Sequence, residues 1–229
     1  MSAVKERGDT IIEVLFAVTV FCLVAVGALS LMNQGTAMAQ RALEIGLVRA
    51  EMDAQADALR YMHNAYIASF GQSDSQARAV WKQATSEREV SSAQSFDAMT
   101  SGGVCRLPTA APTGDSDGAP YVLDIRKLDG GPQGNPVMLL SQTDNAEATE
   151  TFARVRYYQD DQRRVPLNPA KPEGIWVQAV RVPLQASGVL GYYDFHIRAC
   201  WFTPGQKAPV TLGTIVRLYD PRGAGEEDL

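Results

Sequence analysis

The sequence predicts an α+β protein: one long N-terminal helix, with a membrane-spanning first half, packed on an antiparallel β-sheet. Three observations predict it. Residues 11–32 form an apolar run that carries a single charged side chain, Glu13. Behind that run an apolar stripe recurs at helical spacing as far as Phe70. Beyond Pro120 the chain breaks into short segments of alternating character, divided by turn-forming residues.

The helix comes first. At ~1.5 Å per residue the apolar run reaches about 33 Å, enough to cross a bilayer core. A secretory h-region would be shorter and followed by a small-residue cleavage site, so the run reads as a spanning segment that is retained. Lys5 and Arg7 precede it; by the positive-inside tendency residues 1–8 stay cytoplasmic and the rest faces outward. No proline occurs before Pro108, and the helical pattern continues past the membrane. Ile45, Val48, Met52, Ala56, Leu59, Met62, Tyr66 and Phe70 recur every three or four residues. Arg41, Glu44, Arg49, Glu51, Asp53, Asp57 and Arg60 occupy the other faces. The expectation is one helix of about 60 residues, from near Asp9 to near Phe70. Gly27, Gly35 and Gly46 are the points where it could bend or locally melt.

The outer domain follows. Residues 71–110 are small and polar, with a short helix expected around "SQARAVWKQAT". The strand candidates are "YVLDIRKL", "PVMLL", "TFARVRYY", "GIWVQAVRVPL", "YYDFHIRACWF" and "TLGTIVRLY". In the fifth, Tyr193, Phe195, Ile197, Ala199 and Trp201 share one face, and Asp194, His196 and Arg198 the other. Such alternation fits an antiparallel sheet with one buried face. The stripe from Ile45 to Phe70 is the natural cover for it. The tail "DPRGAGEEDL" is charged and aperiodic, and reads as frayed.

Composition and motifs narrow the chemistry. The net charge is −5 with both signs interspersed, and no basic stripe is present to neutralise phosphates, so no nucleic-acid partner is predicted. Cys22 lies in the apolar run as a small hydrophobe, and Thr19, Val20 and Phe21 before it are not the small residues of a lipid-attachment site. Cys105 and Cys200 remain as a pair outside the membrane, and a disulfide between them suits an extracytoplasmic domain. "GDSDGAP" places Asp115 and Asp117 as at the start of a calcium loop, but the bidentate glutamate is missing and the run reads as a turn. His196 has no second histidine or cysteine pair beside it and reads as a surface or packing residue. Neither GxSxG nor HExxH occurs. No enzyme activity, metal or cofactor is expected. Trp81, Trp176 and Trp201 read as core or interface residues, of which an exposed one would mark an adhesive surface.

Gly8 followed by "DTIIEVLFAVTVF" resembles the prepilin leader of the type IV pilin superfamily. There a short charged leader ends in glycine, and a glutamate stands fifth in the mature chain; counting from Asp9, that is Glu13, with Thr10 second. The resemblance covers residues 5–33. It implies a type IV pilin-like fold and prepilin peptidase processing between Gly8 and Asp9, with methylation of the new amino terminus. It also implies an inner-membrane assembly platform and other pilin subunits as partners in a helical filament. Glu13, with Thr10, would set assembly register by answering a neighbour's amino terminus. A carboxylate in an apolar bundle is tolerable only when paired, and such a pair fixes register as a lone polar group does in a coiled coil. The chain departs from the pattern at Asp9, where the family usually has a hydrophobe; that carboxylate would lie beside the new amine.

The implied organisation is a leader (1–8), a transmembrane and filament-core helix (9–33), its amphipathic second half (34–70), a β-rich extracytoplasmic domain (71–220) and a tail (221–229). The expected location is a single-pass membrane protein with its N-terminus cytoplasmic, then a cell-surface filament serving adhesion, motility or DNA uptake. The size of the outer domain, and the absence of a short cysteine-bracketed C-terminal region, incline this reading toward a minor or atypical pilin. The alternatives are a pseudopilin of a type II secretion-like machine and an uncleaved membrane-anchored binding protein.

Overall fold

Sixty residues, Asp9–Ala68, form helix α1 in the computed structural model. The structure describes residues 9–69, 71–72, 75–108, 120–128, 135–139, 152–157, 171–183, 191–203 and 205–219. The chain divides into two units, Met1–Glu44 and Ile45–Leu229.

Within the second unit the expected stripe is the buried one: Val48, Met52, Ala56, Leu59 and Met62 enter the core, with Ile45 and Tyr66 packed at its margin. Phe70, the last residue of the stripe, lies outside the described residues. Burying a large apolar side chain contributes about 1.5–3 kcal/mol, whereas a mid-helix glycine costs about 1 kcal/mol. The stripe therefore wins over Gly46, and the helix runs on through it.

The remaining elements are, in chain order, α2 (Gln76–Ala84), β1 (Glu89–Val90), α3 (Phe96–Met99), β2 (Tyr121–Leu123), β3 (Val137–Leu139), β4 (Arg154–Arg156), β5 (Lys171–Glu173), β6 (Ile175–Val182), β7 (Tyr192–Trp201) and β8 (Val210–Tyr219). Strands β3-β2-β6-β7-β8 lie side by side in that order, and β4 pairs with β5 in a separate ribbon. These pairings are antiparallel, as expected. Strand β1 is the exception, running parallel to β6 with Val90 opposite Val180. Between ribbon and sheet the chain passes through Gly174 at φ +65°, a left-handed conformation that glycine adopts without a Cβ clash.

Two stretches differ from expectation in detail. "YVLDIRKL" stays extended only to Leu123, and Ile125–Lys127 form a short 3₁₀ turn. The cause is Asp124, whose carboxylate accepts the Arg126 N–H at 3.2 Å and grips the Arg126 guanidinium at 2.9 and 2.8 Å. Helix α3 has no counterpart among the predicted elements; Ser95 nucleates it by accepting the Ala98 N–H at 3.2 Å.

Among the described residues, several connections bind α1 and α2 to the sheet, including a His63 Nε2 contact with the Tyr219 carbonyl at 2.9 Å. Gln55 is fully buried and pairs with Leu123 as a neighbouring strand would: its Nε2 donates to the carbonyl at 2.9 Å and its Oε1 accepts the N–H at 2.8 Å. The Tyr121 hydroxyl donates to the Ala84 carbonyl at 2.9 Å. Trp81 of α2 stands among His63 and Tyr66 of α1 and Tyr193 and Phe195 of β7, at centroid distances of 5.1, 5.5, 6.2 and 5.7 Å.

Candidate functional site: an apolar helix with one carboxylate

The helical segment Ile11–Met32 is assembled from residues that favour burial, yet none of its large side chains is buried among the described residues. Phe16 and Phe21 are 71% and 72% exposed. Monomeric soluble domains rarely present so continuous an apolar surface. The helix that carries it is long and apolar enough to cross a membrane. One polar group inside the segment is muted: the Thr19 hydroxyl donates back to the Leu15 carbonyl at 2.8 Å. Glu13 has no such internal answer. It is exposed and forms no ion pair among the described residues. Its position, four residues into α1, places a lone carboxylate on an otherwise apolar cylinder. On insertion scales a charge at mid-membrane costs roughly 2.5–3.5 kcal/mol. A cation from another chain would relieve that cost.

Asp9 is the first residue of α1 and Thr10 its second. Gly8, the leader residues Lys5 and Arg7, the turn aspartates Asp115 and Asp117, and the tail 221–229 lie outside the described residues. At Gly27 and Gly35 an added Cβ would meet nothing within 4 Å, so no contact among the described residues requires glycine there. The helix is unbroken at both.

The second predicted feature is closed. Cys105 and Cys200 are bonded to one another across 95 positions. The segment holding Cys105 lies over the face of the sheet opposite the Tyr193–Trp201 row. Its Gln94 N–H donates to Gln178 Oε1 at 3.0 Å, its Arg106 N–H to the Met99 carbonyl at 2.7 Å, and its Phe96 ring lies 4.6 Å beneath the Arg198 guanidinium. Phe96 also presses on Gly213: a Cβ at that position would come within 2.7 Å of the ring. This cover explains why Asp194, His196 and Arg198 are half-buried rather than open to solvent. Burial, and then the neighbouring Arg198 charge, lower the basicity of His196.

Trp81, Trp176 and Trp201 are all buried, so none marks an exposed adhesive surface. Among the described residues no cluster of His, Cys, Asp or Glu is arranged to hold a metal. Cys22 is free and exposed on the apolar segment. Sequence reasoning missed Gln55, whose partner Leu123 stands 68 positions away; nothing local distinguishes it from the polar residues around it.

Set beside known proteins, the chain matches no family model, no curated protein and no solved structure.

Proposed function

We propose that this chain is a type IV pilin-like structural subunit. In this reading a prepilin peptidase cuts after Gly8, the amine of Asp9 is methylated, and the subunit waits in the membrane until it enters a filament. The observation that carries the reading is the lone Glu13 on a helix whose apolar half is exposed among the described residues. A bundle of such helices supplies both missing elements at once: apolar partners for Ile11–Met32, and an amino-terminal cation in the layer of Glu13. The disulfide-stapled α+β domain then forms the outer layer of the filament and faces an oxidising compartment.

Mass spectrometry of the N-terminal peptide, from protein isolated from its own cells, tests this directly. The expected chain starts at Asp9 with a methylated amine, and Gly8→Ala should leave it unprocessed. A chain still starting at Met1 or Ser2 would make the helix a plain anchor and move the search for function to the outer domain.

A further inference from the structure

Strand β8 stands last in the order β3-β2-β6-β7-β8, and among the described residues it pairs with β7 alone. The outer backbone groups of such an edge are a template for another strand. Proteins ordinarily blunt an edge by keeping it short, by a bulge, a proline or a free charge, or by covering it. Strand β8 has little of this protection. It has ten residues, against a usual ~5–6. Its register runs without a break from Tyr219 opposite Tyr192 to Val210 opposite Trp201, so no bulge turns it away. It contains no proline. Its one charge, Arg217, is neutralised: the guanidinium grips both Asp194 oxygens at 2.8 Å and lies 4.0 Å from the centre of the Tyr192 ring. Helix α1 reaches it at its last residue, where His63 meets the Tyr219 carbonyl. The middle is open. Ile215 is 57% exposed, and Gly213 and Thr214 beside it are exposed as well.

We infer that the β8 edge pairs antiparallel with the β8 edge of a second copy, Ile215 opposite Ile215. The sequence of the strand complements itself in that register. The most open apolar side chain is covered by its own copy. On the core face Leu212 meets Leu218 across the seam, and both are only half-buried at the core margin within one chain. On the other face Arg217 lands opposite Gly213, beside the Phe96 ring that fills the space there. The two arginines therefore stay apart, and no like charges stand directly opposite one another.

The pairing has a direction. Its two-fold axis passes through the Ile215 pair, normal to the sheet, and reverses every element lying over it, residues 45–68 of α1 included. Subunits of one filament share a direction. In the filament reading, on which this step alone rests, the contact joins chains of two filaments that lie side by side in opposite senses.

The test is disulfide trapping in the full chain in detergent micelles, with Cys22→Ser removing the free thiol. Directly opposed Cβ atoms lie ~4.5–5.5 Å apart, so two copies of Ile215→Cys stand within bridging reach after a small adjustment. Tyr219→Cys is the control, since Tyr219 is 50% exposed and comparably accessible. It lies four positions from the axis in each copy, which sets its copies about 26 Å apart. Ile215→Cys should therefore form the covalent dimer at least about tenfold faster than Tyr219→Cys. Analytical ultracentrifugation should find an associated species in the parent that Ile215→Lys removes, because a lysine blunts an edge without disturbing the core. Equal cross-linking at the two positions, or a sedimentation profile that Ile215→Lys leaves unchanged, overturns the pairing. Neither readout depends on cleavage after Gly8, so the pairing and the filament reading fail separately.

Discussion

At the scale of single residues, Gln55 and Gly213 do more than their types suggest. Gln55 replaces a length of strand, so removing its amide leaves both the N–H and the carbonyl of buried Leu123 unpaired. An unsatisfied buried group costs about 1–3 kcal/mol. Gln55→Ala should therefore lower unfolding stability by about 2–4 kcal/mol in denaturant titrations of the solubilised chain. At Gly213 the constraint is space rather than backbone angle, because Phe96 occupies the place of a Cβ. Gly213→Ala should cost about 1–3 kcal/mol. Combined with Phe96→Leu the loss should be smaller than the sum, since one contact underlies both; a strictly additive cycle would contradict that contact. Neither role was legible in the sequence. Each depends on what stands opposite, and that residue comes from a distant part of the chain.

At the scale of elements, legibility followed the strength of periodicity. The stripe on α1 and the alternation of β7 each repeat over several residues, so the buried face could be assigned position by position and matches the core. Helix α2 was readable too; its Ser75 cap and the burial of Trp81 came with the structure. The short elements were not. Strand β1 has two residues and α3 has four, too few to carry a period, and both are held by contacts made far along the chain. The 3₁₀ turn after Leu123 replaced strand because one local carboxylate, Asp124, outcompeted the ladder for the chain. The disulfide could be read from a process of assignment among three cysteines, but its task could not: it clamps the α3 segment to β7, over the second face of the sheet. By loop-closure entropy a bridge over this span contributes up to ~4–5 kcal/mol. Replacing Cys105 and Cys200 together with Ala should therefore lower the thermal midpoint, and the amides of Gln94 and Arg106 should lose exchange protection before those of the β6–β7 ladder.

At the scale of the whole molecule, the candidate site was legible because it is a contradiction within the sequence: one charge where the surroundings reject charge. No described residue of the chain answers that charge with an ion pair. Glu13→Leu should leave the protein folded and membrane-inserted, yet sharply reduce its incorporation into filaments. Glu13→Gln should fall between the two, since it keeps hydrogen bonding and loses charge. Quantifying sheared filaments against membrane-retained subunit would check both, and normal incorporation of Glu13→Leu would remove Glu13 from the assembly step.

The span of the disulfide has a mechanical consequence. A molecule pulled through α1 at one end and through its later strands at the other cannot release the chain between Cys105 and Cys200, because the covalent bridge bypasses it. At ~3.3–3.6 Å per residue, a span of 95 positions withholds on the order of 300 Å of contour length from any extension. A tethered molecule stretched by its ends would lengthen by that much less when oxidised than when reduced, so the bridge sets how far the chain can yield under load.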